Sequence, residues 1–186
     1  ARHAAEKGVT LIRGIETEIR EYPSTHGRHV LILGATKDTE HIQTFADLAA
    51  YKRANPRSLI IAPHPYFYGN FSLHGYLETY IHLFDAIEHS WFYSKHLNRN
   101  TPAIRAARRH FLPLIATSDT HFMDFLDTDY CIIEADAPTP EAIFRSLRVG
   151  SFRNVTRPKK FIREFIIPIG VHSFKNHVLH PRFLRR

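Results

Sequence analysis

Two short, uninterrupted apolar runs, at 58–62 (SLIIA) and 113–117 (PLIAT), with a further strand at 130–134 (YCIIE), constrain the fold of this chain more than anything else in it. A run with no polar alternation has no side to give to water, so it belongs in a sheet covered on both faces. Helical patterns separate the runs. Residues 39–54 carry Ile42, Phe45, Ala46, Ala49 and Ala50 at helical spacing, and 73–84 and 102–110 also read as helices. Thr139-Pro140-Glu141 caps a further helix that runs to about Val149 and stops at Gly150. Residues up to Gly8 read as the last turns of a helix, 9–12 as the start of a strand, 28–34 (RHVLILG) as a second strand and 85–88 as a short extended segment. Strands alternating with helices predict the α/β class, with a mainly parallel sheet.

With 186 residues the chain suits one domain with a sizeable core, but it is short for a complete eight-unit α/β barrel. Its 44% hydrophobic and 23% charged residues exclude intrinsic disorder and collagen-like repeats. The single cysteine, Cys131, excludes an internal disulfide and a Cys-rich zinc or iron–sulfur site, and it suits a reducing compartment, with the cytoplasm expected. No apolar run approaches the roughly 18 residues of a membrane span, so no membrane partner is expected. The net charge of +7 is uneven: residues 145–186 carry +10 and residues 1–144 carry −3. A basic C-terminal extension, 151–186, therefore suits contact with nucleic acid, anionic lipid or another acidic surface, and a solvated basic face without a partner is the equal alternative.

The chemistry is expected where the buried strands end. Leu11-Ile12 leads to Gly14-Ile15-Glu16, 59–62 leads to Pro63-His64-Pro65, and 114–117 leads to Ser118-Asp119-Thr120-His121. In parallel α/β folds, side chains at the C-terminal ends of strands converge from distant parts of the sequence. Carboxylate mixed with imidazole suits zinc, manganese or iron. Asp119 and His121, two apart at a strand terminus, point the same way and can reach one metal ion, although a turn-forming Asp with an incidental His has the same spacing. His64 between two prolines is a pre-set ligand or an ordinary turn histidine. Glu16 alone reads equally as a solvated strand-end acid, and His29, opening the RHVLILG strand, as a surface residue.

Taken in order, GIE (14–16), HVLILG (29–34), APHP (62–65), IEHS (87–90) and SDTH (118–121) resemble the PHP family, named for polymerase and histidinol phosphatase. The resemblance covers about residues 1–150. It implies a distorted (β/α) barrel that holds up to three divalent ions (Mn, Zn or Fe) and hydrolyses phosphoesters. Carried over residue by residue, it implies Glu16, His29, His64, Asp119 and His121 as metal ligands, with Glu16, Asp119 and His121 catalytic. Family members open with an HxH strand and a second strand ending in a TDH-like motif, and neither is present here. The only early histidine, His3, reads as a surface residue. The chain therefore resembles a PHP domain lacking its first strands, from which weak or absent activity is expected.

The implied substrate is a small phosphomonoester, a nucleotide or a nucleic-acid end, toward which the basic extension tilts the reading. Arg20, Lys95 and Arg99 are candidate phosphate clamps, and His89 and Ser90 candidate pocket-lining residues. The rival reading from another class is a non-catalytic PHP-like module that binds RNA through its basic surface.

Overall fold

The computed structural model describes residues 2–20, 27–120, 126–160 and 164. A short helix α1 (Arg2–Glu6) precedes a five-stranded sheet of β1 (Gly14–Ile19), β2 (Arg28–Leu33), β3 (Leu59–Ala62), β4 (Ala86–Ser90) and β5 (Leu114–Thr117), in that order. Between the strands lie α2 (Phe45–Ala54), α3 (Gly75–Thr79) and α4 (Asn100–His110). A two-stranded ribbon of β6 (Tyr130–Ile133) and β7 (Phe152–Val155) follows, its strands joined through α5 (Pro140–Val149).

The α/β class holds, but the sheet is mixed rather than mainly parallel. β1 pairs antiparallel with β2 and β2 with β3, while β3–β4 and β4–β5 are parallel. The eight residues between β1 and β2 are too few for a parallel crossover, which needs a dozen or more. The first strand also lies later than 9–12. Val9 and Leu11 are exposed, whereas GIETEI alternates exposed with more buried positions, as an edge strand with one wet face must. The helix expected at 39–54 is broken: a 3₁₀ turn (Lys37–His41) ends first, and α2 restarts behind Thr44. There the Thr44 hydroxyl accepts from Asp47 N at 3.1 Å and the Asp47 carboxylate accepts from Thr44 N at 2.9 Å.

The sheet separates two apolar layers. Val30, Ile32, Ile60, Ala62 and Ile87 pack with Phe45 and Leu48 of α2, Leu77 of α3 and Ala103, Ala106 and Ala107 of α4. On the other face Leu59, Ile61, Ala86 and Ile115 pack with Phe144 and Leu147 of α5. Helices thus cover the second face only in part, at the end where α5 sits.

Among the described residues the sheet does not close into a barrel. β5 and the β6–β7 ribbon are instead stitched by side chains: Asn154 Nδ2 donates to Leu114 O at 2.7 Å, its Oδ1 accepts from Ala116 N at 2.9 Å, and Cys131 Sγ donates to Ala116 O at 3.2 Å. The amide of Asn154 copies the donor–acceptor pair that a neighbouring strand would offer. Past β7 the chain returns to the loop after β4. Lys159 N donates to Tyr93 O at 2.8 Å, and its fully buried ammonium donates to Thr128 Oγ1 at 2.8 Å, to Arg157 O at 3.1 Å and to the buried Asp129 carboxylate. The stretch after Gly150 therefore begins with a paired strand and a buried ion pair, neither of which the sequence reading contained. No helix among the described residues is long and apolar enough to cross a membrane.

Candidate metal centre

Glu16 does not end a strand, as the spacing suggested, but lies inside β1. Its place is set by register. Glu18 faces His29 and Glu16 faces Leu31 across the β1–β2 pair, so Glu16, Glu18 and His29 project from the same sheet face as Leu31 and Ile61. His29 opens a strand that runs antiparallel to β3, so it stands at the edge where β3, β4 and β5 end. β3 has turned away by this point, and the loop after it supplies the missing pair: His29 N donates to Phe71 O at 2.8 Å.

His64 reaches the same place by a different route. Simple alternation from Ile60 and Ala62 would send it to the opposite face. Its φ of +27° reverses the chain direction, and the Nε2 atom comes to 3.5 Å from Glu16 Oε1. Such backbone strain costs of order 1–3 kcal/mol and persists only where surrounding contacts enforce it. Here Ser72 Oγ and Phe67 N donate to His64 O at 2.9 and 3.0 Å, and the Glu88 carboxylate accepts from His64 N. The Phe71 ring backs both imidazoles, with centroids 5.1 Å from His29 and 5.4 Å from His64.

Glu16, His29 and His64 each offer a ligand atom, all within 4.8 Å of one another. The His29 Nδ1 atom is in close contact with the Glu16 carboxylate. The two imidazoles hold the Glu16 carboxyl far below the usual range, first through the His29 contact and then through His64. Burial alone would lower the His64 pKa, but Glu16, Glu88 and Asp119 outweigh it and raise it. The buried Nδ1 of His64 has no hydrogen-bond partner among the described residues. One carboxylate and two imidazoles at this spacing form a donor set that fits a divalent cation of the zinc, manganese or iron type.

Asp119 lies two residues beyond β5, with φ of +37°, and its charge raises the pKa of both His64 and Glu88, which places it beside the trio but outside the 4.8 Å group. His121 lies outside the described residues. Of the other candidates, Arg20 pairs with Glu18 at 2.5 Å, and Arg99 stacks on the exposed Tyr68 ring at 4.2 Å. Lys95 is exposed, and His3 is exposed against Glu6. His89 is buried on the sheet face away from Glu16, beside Asn100, and burial lowers its pKa. Asn100 also fixes Ser90, accepting from its N at 2.9 Å and donating to its O at 2.8 Å.

Sequence reasoning passed over Glu88. It is buried in the interior strand β4 on the Glu16 face, with its carboxyl pushed up to about 7 by burial. One oxygen accepts from His64 N and the other from the Thr117 hydroxyl. The available signal was an acid in the middle of an apolar strand flanked by buried parallel neighbours, where a lone charge needs a reason to be.

The geometry defines a mixed α/β protein with a carboxylate–imidazole cluster at one edge of its sheet. The family model PHP_C, described as PHP-associated, matches residues 98–152, a span that runs from the start of α4 into β7 and includes SDTH. A search of curated proteins gave no match. Among solved structures, the chain is similar to a two-domain protein from Bacteroides vulgatus ATCC 8482 that contains a predicted PHP-like metal-dependent phosphoesterase. The TM-score is 0.59 at 18% identity, covering 84% of this chain and 47% of that one. The chain thus spans about half the length of the protein it matches. The family match covers residues 98–152 alone, and the structural match shows a likeness of fold.

Proposed function

We propose that this chain carries the metal-binding part of a divalent-metal-dependent phosphoester hydrolase that acts on a small phosphomonoester or on a nucleotide or nucleic-acid end. The observation that carries the reading is the Glu16–His29–His64 cluster, in which an ionised carboxylate and two imidazoles from three strands or strand ends converge. Bound there, manganese, zinc or iron would lower the pKa of a water molecule and neutralise charge on a phosphate. Glu16 supplies the anionic charge of the trio, and its depressed pKa keeps it ionised at neutral pH. His29 and His64 supply neutral nitrogen donors, and Phe71 shields their rings from solvent on one side. In this reading Asp119 and His121 add ligands from the SDTH segment, the wall of strands belongs to a distorted barrel, and the basic C-terminal stretch contacts a nucleic-acid substrate.

The test measures manganese and zinc binding by calorimetry, alongside hydrolysis of a small phosphomonoester and a 5′-phosphorylated oligonucleotide. Glu16→Gln is expected to weaken metal binding at least about tenfold while the circular dichroism spectrum is unchanged. Asp119→Ala, tested in the native full-length protein, is expected to remove turnover in the same assay. Full turnover in both variants, or metal affinity unaffected by Glu16→Gln, overturns the reading.

A further inference from the structure

We infer that Glu88 is a positioning residue for this centre: its buried carboxylate ties the turn that presents His64 to the strand end that presents Asp119. The inference rests on the metal-centre reading above. His64 and Asp119 follow neighbouring strand ends, β3 and β5, on either side of β4, and both hold left-handed backbones that an unsupported histidine or aspartate would leave. Glu88 lies on the strand between them. One of its oxygens accepts from the His64 backbone N–H and the other from Thr117 Oγ1, two residues before Asp119. Register puts it there, because Glu88 is opposite Ile115 and Ser90 is opposite Thr117 on the same sheet face.

An isolated carboxylate at 2% exposure in an interior strand is costly, and apolar packing would fill the same space more cheaply. No lysine or arginine pairs with Glu88 in the described contacts, so a stabilising salt bridge does not explain it. What the carboxylate does have is two acceptor oxygens aimed in opposite directions, one at each turn. Outer-shell partners of this kind commonly change metal affinity by about 10–100-fold when removed.

Glutamine at this position can keep both ties. Its oxygen can accept from His64 N–H, and its amide nitrogen can donate to Thr117 Oγ1. The experiment therefore compares Glu88→Gln, Glu88→Ala and Thr117→Val in the full chain. Cobalt uptake is followed through its visible absorption, and the metal-free imidazole nitrogens are followed by NMR. Glu88→Ala is expected to weaken cobalt binding at least about tenfold, to alter the absorption envelope and to move the His64 ring signals in the metal-free protein. Glu88→Gln is expected to stay within about threefold of the parent with an unchanged spectrum, since the ties it retains are the ones that count. Thr117→Val removes one tie and gives an intermediate loss, which decides the matter if Glu88→Ala does not fold. Wild-type spectra and affinity in Glu88→Ala or Thr117→Val overturn the inference, as does a Glu88→Gln variant as impaired as Glu88→Ala. If the parent chain binds no cobalt, the metal reading fails, while the metal-free His64 signals still decide the role of Glu88.

Discussion

Four non-glycine residues in the described structure hold left-handed backbones: His64, His74, Phe111 and Asp119. His64 and Asp119 stand at the candidate centre, where strain has a use. Phe111 does not. It ends α4 with φ of +54°, which lets its own N–H and that of Leu112 donate to Ala107 O, but the residue is 94% exposed, so its side chain adds nothing that a glycine would lose. The left-handed region costs an L-residue roughly 1–2 kcal/mol. Phe111→Gly removes that cost and adds freedom to the unfolded chain, for a net stabilisation of about 0.5–1 kcal/mol. A rise in the urea midpoint with an unchanged slope checks this, and Phe111→Ala, still left-handed, should show no such gain. The same substitution logic fails at His64, where the side chain that suffers the strain is also the one that meets Glu16.

At the level of single elements, α2 shows how a start signal overrides a periodic pattern. The apolar spacing from Ile42 onward reads as continuous helix from 39, yet the reciprocal Thr44–Asp47 pair fixes the first turn five residues later. The Asp47 carboxyl is held below its usual pKa, first by the Thr44 hydroxyl and then by the backbone N–H groups of Thr44 and Gln43. A depressed carboxyl stabilises the fold above its unfolded pKa of 3.8, and that contribution is lost as pH falls through the folded value. Asp47→Asn should therefore lower the urea midpoint at pH 6, and the two proteins should converge once the pH has fallen below the pKa of the folded carboxyl. The strands were legible where both faces are buried: 58–62 and 113–117 are β3 and β5 to within a residue at each end. β1 was not, because its alternation of Glu16 and Glu18 with half-buried neighbours is a weaker signal than the apolar pair Leu11-Ile12 before it. The strand-end argument picked out His64 and Asp119, and the family resemblance added His29. Glu88 lay within the IEHS segment without being singled out, and no local pattern announced Phe71; the importance of both comes from contacts with residues far away in the chain.

Across the whole molecule, the described residues just beyond α5, 152–160, are fastened to the rest of the fold. The Lys159–Asp129 pair has no exposed side-chain area, and the Lys159 ammonium also lies 5.7 Å from the Trp91 ring centroid. Removing one member of such a pair leaves the other charge buried and uncompensated, at a cost of about 3–5 kcal/mol. Lys159→Met should reduce the unfolding free energy by that amount, while Lys159→Met combined with Asp129→Leu should recover much of it; denaturant titration of both distinguishes a buried charge from simple loss of packing. The ribbon itself is held to the main sheet by two side chains, the Asn154 carboxamide standing in for a strand and the Cys131 thiol donating to Ala116 O. Every other joint in the wall is a ladder of repeated backbone bonds, which must break together. This one is a pair of rivets, with no ladder of backbone bonds to share the load, so under a pulling force directed across the wall the ribbon should part from β5 while both sheets remain whole.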